Sequence, residues 1–268
     1  QRSLQASYDI PIQNVAKDKL SFTAEITNED YGDITSNLYG IGGVRDTGWT
    51  LGRKRAYLNL EAETYDLGDG EGNRTSTLLF PGYTLTGQKA DNLLFTHKGF
   101  SFSADVHGGS GAVLSSTDFI QGTLNGHLVL PVTSKGRLLV RGQFGATGVN
   151  DFKDLPPSQR YFAGGDSSVR GYGYQSISPT NSDKEDIGGR YLATGSVEGN
   201  YFFYKKFGAA LFADAGDAAN TLNFDFKKSV GIGFRWGSPV GMVRLDLAHP
   251  LDDPDSSFRI HFSLGPDL

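Results

Sequence analysis

GFSFSADVHG, residues 99–108, alternates without a break: Phe100, Phe102, Ala104 and Val106 fall on one face, Ser101, Ser103, Asp105 and His107 on the other. Successive side chains of a strand point to opposite faces, so a period of two predicts a strand with one apolar side. The pattern recurs before this segment at 3–10, 19–26, 36–44, 55–63 and 76–85, and after it at 118–128, 137–145, 193–204, 208–216, 228–236, 241–250 and 257–265. Thirteen strands are predicted, eight before a long connection at 150–190 and five after it. The expected fold class is all-β.

Composition agrees. Glycine supplies 36 of 268 residues and methionine one, a balance that favours tight turns and strands over helices. The net charge of −5 is scattered, with no basic stripe, which argues against nucleic acid as a partner. Without cysteine there is no disulfide framework, thiolate metal site or cysteine nucleophile. No apolar run approaches the ~18 residues of a membrane helix, so a membrane could be crossed only by strands. The opening residues QRSLQASYDI are not a signal peptide, from which a mature or truncated chain is expected.

Period two fits a soluble sandwich, with the apolar face inside, and equally a membrane barrel, with that face turned to lipid. The links favour the barrel: short ones at 133–136, 205–207 and 238–241 interleave with longer ones near 66–75, 108–117, 150–190, 216–226 and 250–256. Short turns on one rim and long loops on the other are the habit of outer-membrane barrels. The polar faces carry Arg141, Gln143, Glu198, Asp214, Arg235, Arg244 and Asp246, a mixture that a wet lumen or a soluble surface tolerates. Aromatic residues crowd NYFFYKKF, 200–207, as in an interfacial girdle, although Tyr and Phe are common in every strand.

Little points to catalysis. The five histidines are far apart and none has metal-ligand spacing. DDPD at 252–255 lacks the glycine and glutamate of an EF-hand and reads as a solvated turn. GGDSSVRG lacks the Gly-Lys-Ser/Thr ending of a phosphate loop, and there is no G-x-S-x-G elbow. No cofactor, metal or enzymatic activity is expected.

The long connection contains GGDSSVRGYGYQSISP, 164–179, which resembles the sixth extracellular loop of the outer-membrane assembly and secretion barrels, the superfamily of BamA, TamA and FhaC, with its V/I-R-G-F/Y hallmark. LFADAG (211–216) is similar to the family's F-x-D-x-G strand, GIGFRWGSPVG (231–241) to its G-x-G-x-R hairpin, and VRLDLAHPL (243–251) to its penultimate strand. FRIHFSLGPDL ends the sequence as the TamA branch does, and that branch is the nearest resemblance. The likeness spans the chain and is strongest from Pro156 onward.

The resemblance implies a transmembrane antiparallel β-barrel of sixteen strands in the bacterial outer membrane. Residues 1–268 would be the C-terminal barrel domain, with about three first strands and the periplasmic POTRA domains lying outside the chain. The loop would fold into the lumen, where Val169, Arg170, Gly171 and Tyr172 lock it to the wall. Asp214 would be the first partner of Arg170 and Glu198 the second; a solvated Arg170 on a mobile loop is the alternative from the residues alone. Glycines 164, 165, 171 and 173 would take positive φ, and Tyr172 and Tyr174 would fill lumen space. A lateral seam would run along the last strand, at Phe258, Ile260, Phe262, Gly265 and Pro266, the last two shortening its pairing or being a plain terminus. The implied partners are outer-membrane lipid, nascent β-barrel and autotransporter substrates, and a TamB-like protein anchored in the inner membrane and met through the periplasmic domains. A two-partner secretion pore like FhaC and the barrel of a patatin-fused phospholipase are the nearest alternatives; a soluble β-sandwich binding module is a more distant one.

Overall fold

The computed structural model describes all residues except 1, 13–17, 33, 68–71 and 254–256. Thirteen strands form one antiparallel sheet: β1 (Arg2–Pro11), β2 (Asp18–Tyr31), β3 (Ile34–Trp49), β4 (Gly52–Tyr65), β5 (Arg74–Ala90), β6 (Gly99–Gly109), β7 (Phe119–Pro131), β8 (Gly136–Val149), β9 (Tyr191–Tyr204), β10 (Phe207–Ala219), β11 (Lys227–Ser238), β12 (Gly241–Pro250) and β13 (Arg259–Gly265). Among the described residues each pairs only with its neighbours in sequence. Eight strands precede the long connection and five follow, as the alternation predicts. Most run past the apolar core of their segment because backbone pairing continues into polar residues; β3 pairs from Ile34 although its alternation is clear only from Ser36.

The direction of the apolar rows separates the two architectures that the sequence left open. Ile260 is 74% exposed and Leu211 68%, while Asp214, one residue out of phase with the outward row of β10, is 3% exposed. A sandwich would bury the apolar row and wet the polar one. Here apolar side chains cover the outside of a curved wall and polar ones face inward, the arrangement of a strand-built membrane protein. Tyr201, Phe203, Tyr204 and Phe207 are all exposed near the β9–β10 turn, and the ring of Phe207 stacks on Trp236 at 6.0 Å. They form part of an aromatic belt at the short-turn rim.

The links depart from strict interleaving in two places. On the loop rim β2 and β3 are joined by residues 32–33 alone, of which 32 lies within the described residues. On the turn rim the β5–β6 link occupies 91–98, and it is folded on itself: Asn92 Oδ1 accepts from the amides of Leu94 and Phe95, and Asp91 Oδ1 from those of His97 and Lys98. Side-chain oxygens replace the missing ladder partners, a substitution that period counting does not register. The DDPD turn lies partly outside the described residues.

The long connection is packed inside the wall. Two single 3₁₀ turns, Phe152–Asp154 and Pro157–Gln159, lead into backbone bridges between Tyr161 and Gly189 and between Ala163 and Ile177. Buried Arg160 donates to the carbonyls of Leu155 (2.8 Å) and Ile187 (2.9 Å), gathering the loop around one guanidinium. Tyr161, Ala163, Val169 and Ile177 make a small apolar core with Leu192 and Ala218 of the wall. Gln121 of β7 donates to the Gln159 carbonyl at 2.7 Å, and Ser158 bonds to Glu63 of β4. Contacts spread over several strands leave the loop no freedom to swing out as one hinge.

Candidate functional site

The site is built from two-residue alternation on four adjacent strands. Ser196, Glu198 and Asn200 of β9, Phe212, Asp214 and Gly216 of β10, Gly231, Gly233 and Arg235 of β11, and Arg244 and Asp246 of β12 all lie on the inward rows. The register sets Asp214 opposite Ser196 and Phe212 opposite Glu198, so the two acids are diagonal neighbours on one face. Gly233 stands opposite Asp246.

Arg170 enters this wall from the loop and is 5% exposed. Its Nε and backbone amide donate to Asp214 Oδ2 at 2.8 and 3.1 Å, and Nη2 donates to Oδ1 at 2.9 Å. Nη1 reaches Glu198 Oε2 at 2.8 Å and Asp246 Oδ2 at 2.9 Å. The guanidinium lies over the Phe212 ring, 3.4 Å from its centre. A planar fork with five donors can satisfy this set of acceptors; an ammonium cannot.

Charge is balanced locally. Arg235, fully buried, donates to Glu198 Oε1 at 3.0 and 2.8 Å and to Asp246 Oδ1 at 2.5 Å, and Arg141 lies 3.6 Å from Asp214. Three guanidiniums meet three carboxylates, and all six carboxylate oxygens accept a hydrogen bond. Desolvating such charges is tolerable only when their oxygens are hydrogen-bonded and their charges paired in this way. Burial works against the positive charge of Arg170, but the hydrogen bonds and attraction of Asp214, with the attraction of Glu198, raise its pKa above the ordinary arginine value. The guanidinium therefore stays charged.

The glycines of the two wall motifs make room for this network. A Cβ on Gly233 would sit 2.1 Å from Asp246 Oδ1, and one on Gly231 would strike the Phe212 ring at 2.2 Å. One on Gly216 would meet Val169 Cγ2 at 2.7 Å. The F-x-D-x-G strand thus offers the loop a ring to lie on, an acid to hold and a gap for its valine.

Gly171 has φ +95 and lies against the backbone of His249 and Pro250, where only a residue without Cβ is unstrained. Its amide donates to His261 Nε2 at 3.0 Å, so the other ring nitrogen carries the proton shared with Asp166. His261 belongs to β13, so the last strand touches the loop directly. Tyr172 packs against the apolar core and donates to the Lys228 carbonyl at 3.3 Å. Tyr174 is 69% exposed, its place on an irregular loop not being governed by alternation. Glycines 164, 165 and 171 have positive φ, whereas Gly173 does not.

At the expected seam, β13 pairs with β12 from Ala248↔Arg259 to Met242↔Gly265, seven residues, and has no partner on its other side among the described residues. Phe258, Ile260 and Phe262 are exposed and outward. Pairing stops at Gly265; Pro266 lies beyond it, and its carbonyl accepts from Arg244 at 3.0 Å. At the far edge all ten residues of β1 are exposed. The chain therefore turns inward after its last strand instead of simply ending along the wall.

Sequence reasoning placed Arg235 and Asp246 on the polar face without pairing them with Arg170, and it missed Ser196 and Phe212. The inward rows of β9 to β12 hold the signal, but reading it requires the register of four strands at once. That Arg137, Asp267 and Thr96 meet at the turn rim had no signal in the sequence.

An Omp85 superfamily domain model matches residues 3–267. Among curated proteins, the outer membrane protein assembly factor BamA of Nitratidesulfovibrio vulgaris (strain Hildenborough) is 29% identical over 291 residues, covering 98% of this chain and 36% of that protein. The chain thus spans about a third of that relative's length. In fold it is similar to BamA from Haemophilus ducreyi lacking POTRA domains 1–3, with TM-score 0.80, 18% identity, and 98% of this chain and 62% of the other covered. CdiB from Acinetobacter baumannii follows with TM-score 0.61, 14% identity, and coverage of 97% and 49%.

Proposed function

The chain belongs to the Omp85 superfamily of bacterial outer-membrane β-barrel proteins, and we propose that it is the C-terminal barrel unit of a TamA-like translocation and assembly factor. In this reading residues 1–268 follow periplasmic POTRA domains, through which a TamB-like inner-membrane-anchored partner is engaged. Nascent β-barrel and autotransporter proteins are the substrates. They meet the protein at a lateral seam along β13, where Phe258, Ile260 and Phe262 face the lipid and Gly265 and Pro266 close the pairing. Val169, Arg170, Gly171 and Tyr172, held by Asp214 and Glu198, keep the long loop inside the wall and so fix its shape.

The observation that carries this reading is the V-R-G-Y loop held inside the wall, with Arg170 bonded to Asp214, Glu198 and Asp246. A parted edge of β13 would offer backbone donors and acceptors to which an incoming strand can add. In this reading the protein supplies a strand template, not a covalent reaction. The L-G-P-D-L ending supports the TamA branch over other members.

A photo-crosslinking amino acid at Ser263 of the full-length protein, challenged with an autotransporter barrel in outer-membrane vesicles, tests the seam. Adducts with the substrate's last strand, absent when the group is placed at Val140 in the middle of the wall, are expected. Adducts confined to the long loop or the lumen would point to passage through the pore instead, as in a two-partner secretion protein.

A further inference from the structure

Beyond Gly265 the chain leaves the wall and crosses the interior. Asp267 receives Nη1 of Arg137 at 2.5 Å and Nη2 at 3.1 Å, a bidentate pair spanning 130 residues of sequence. Arg244 Nη2 adds a bond to the same carboxylate at 2.7 Å. Neither the Arg137 nor the Asp267 side chain has any accessible surface.

The socket around Arg137 is organised by elements that have no other reason to meet. Phe95 of the β5–β6 link and Phe202 of β9 lie 5.1 and 5.2 Å from the guanidinium carbon, and the Thr96 carbonyl takes a further hydrogen bond from it. Gln88 of β5 donates to the Leu268 carbonyl at 3.2 Å, and a Cβ on Gly99 would collide with Leu268 at 2.6 Å. The folded 91–98 link, which breaks the short-turn rule, is the floor of this socket. Among the described residues β13 is otherwise attached through β12 and through His261 to the loop.

We propose that Asp267 is the positioning residue of the last strand: Arg137 of β8 and Arg244 of β12 grip it inside the barrel. The grip sets how far the turn-rim end of β13 can lean away from the lumen. This clamp is separate from the loop network. Arg170 holds the loop to β9, β10 and β12, whereas Arg137 and Arg244 hold the end of the edge strand to β8 and β12. The inference rests on the seam reading only for its consequence, that the clamp governs how wide the seam opens at the turn rim. The geometric part stands or falls by itself.

The 268 residues hold no cysteine, so within them the introduced pairs are the sole labelling sites; any cysteine elsewhere in the full-length protein is replaced by serine. In the full-length protein in nanodiscs, Leu264→Cys with Leu138→Cys reads the end of β13 against the far wall, and Tyr174→Cys with Asn220→Cys reads the loop. Asp267→Asn is expected to widen the first distance distribution at least twofold and leave the second unchanged; Arg170→Ala should do the reverse. Should Asp267→Asn fail to give a heat-modifiable folded band, Arg244→Gln removes a single contact to the carboxylate and is expected to widen the first distribution by a smaller amount. An unchanged first distribution in the folded variants, or equal widening of both pairs in Asp267→Asn, overturns the clamp. Assembly of a barrel substrate by the same samples provides the second arm, with a rate change of threefold or more expected wherever β13 loosens. A loosened strand with unchanged assembly would refute the seam reading and leave the clamp in place.

Discussion

The walls at the two ends of this sheet obey the same alternation and differ in what their inward rows hold. β9 to β12 turn acids, arginines and gaps toward a loop that fills them, while the inward row of β1 holds Gln5, Ser7 and Asp9, the last paired with Lys19 of β2. Outward, both walls show the same apolar side chains: Leu4 and Tyr8 on one, Leu211 and Ile232 on the other. Lipid compatibility is thus a generic property of the outward rows. What is particular to the molecule is written in the inward residues of a few strands, where charge must be matched atom by atom.

Removing the cation at the centre should break this contrast most sharply. Arg170→Ala leaves Asp214, Glu198 and Asp246 each with one cation fewer in a desolvated place, a loss on the order of 3–5 kcal/mol of loop docking. Limited proteolysis of the folded protein should then cut within 158–180 where wild type resists. A charge in the wrong row comes next. Arg235 is accommodated inward, but Ile232→Arg puts the same guanidinium outward at the centre of β11, at a cost of about 2–4 kcal/mol at the bilayer midplane. Urea titration of refolding into vesicles should register that loss, and an arginine tolerated at 232 would mean that this wall does not face lipid.

A smaller effect is expected from filling a gap. Gly233→Ala brings a methyl group into Asp246 and Arg235, and overpacking of this kind costs about 1–3 kcal/mol. The heat-modifiability midpoint should fall, while Gly199→Ala, on the outward row with nothing within 4 Å of its Cβ, should leave it in place. Smallest of all is the exposed pair on the β1 side. Lys19 and Asp9 are 2.7 Å apart yet 30% and 47% accessible, and such pairs contribute little. Lys19→Ala should not move the midpoint measurably, which would set the surface pair apart from the buried network.

The strands were legible because period two survives in every segment and needs no partner to be read. Glu198 and Asp214 could be chosen from their rows and from the resemblance of the loop, and both stand within 3 Å of Arg170. Asp246 could not be singled out, since it comes near only when the registers of β10, β11 and β12 are combined. Tyr174 stays exposed and Gly173 does not take positive φ because an irregular loop offers no period to count. The meeting of Arg137 with Asp267 depends on how far the wall curls between β8 and β13, which no local pattern records.

The most direct test of an arginine held inside by acids is amide hydrogen exchange across 161–177 in the full-length protein in nanodiscs, comparing wild type with Asp214→Asn. The Arg170 amide donates to Asp214 itself, so wild type should protect this segment for hours and the variant should lose most of that protection while the strands keep theirs. Exchange of 161–177 at the rate of an unstructured peptide already in wild type would contradict it.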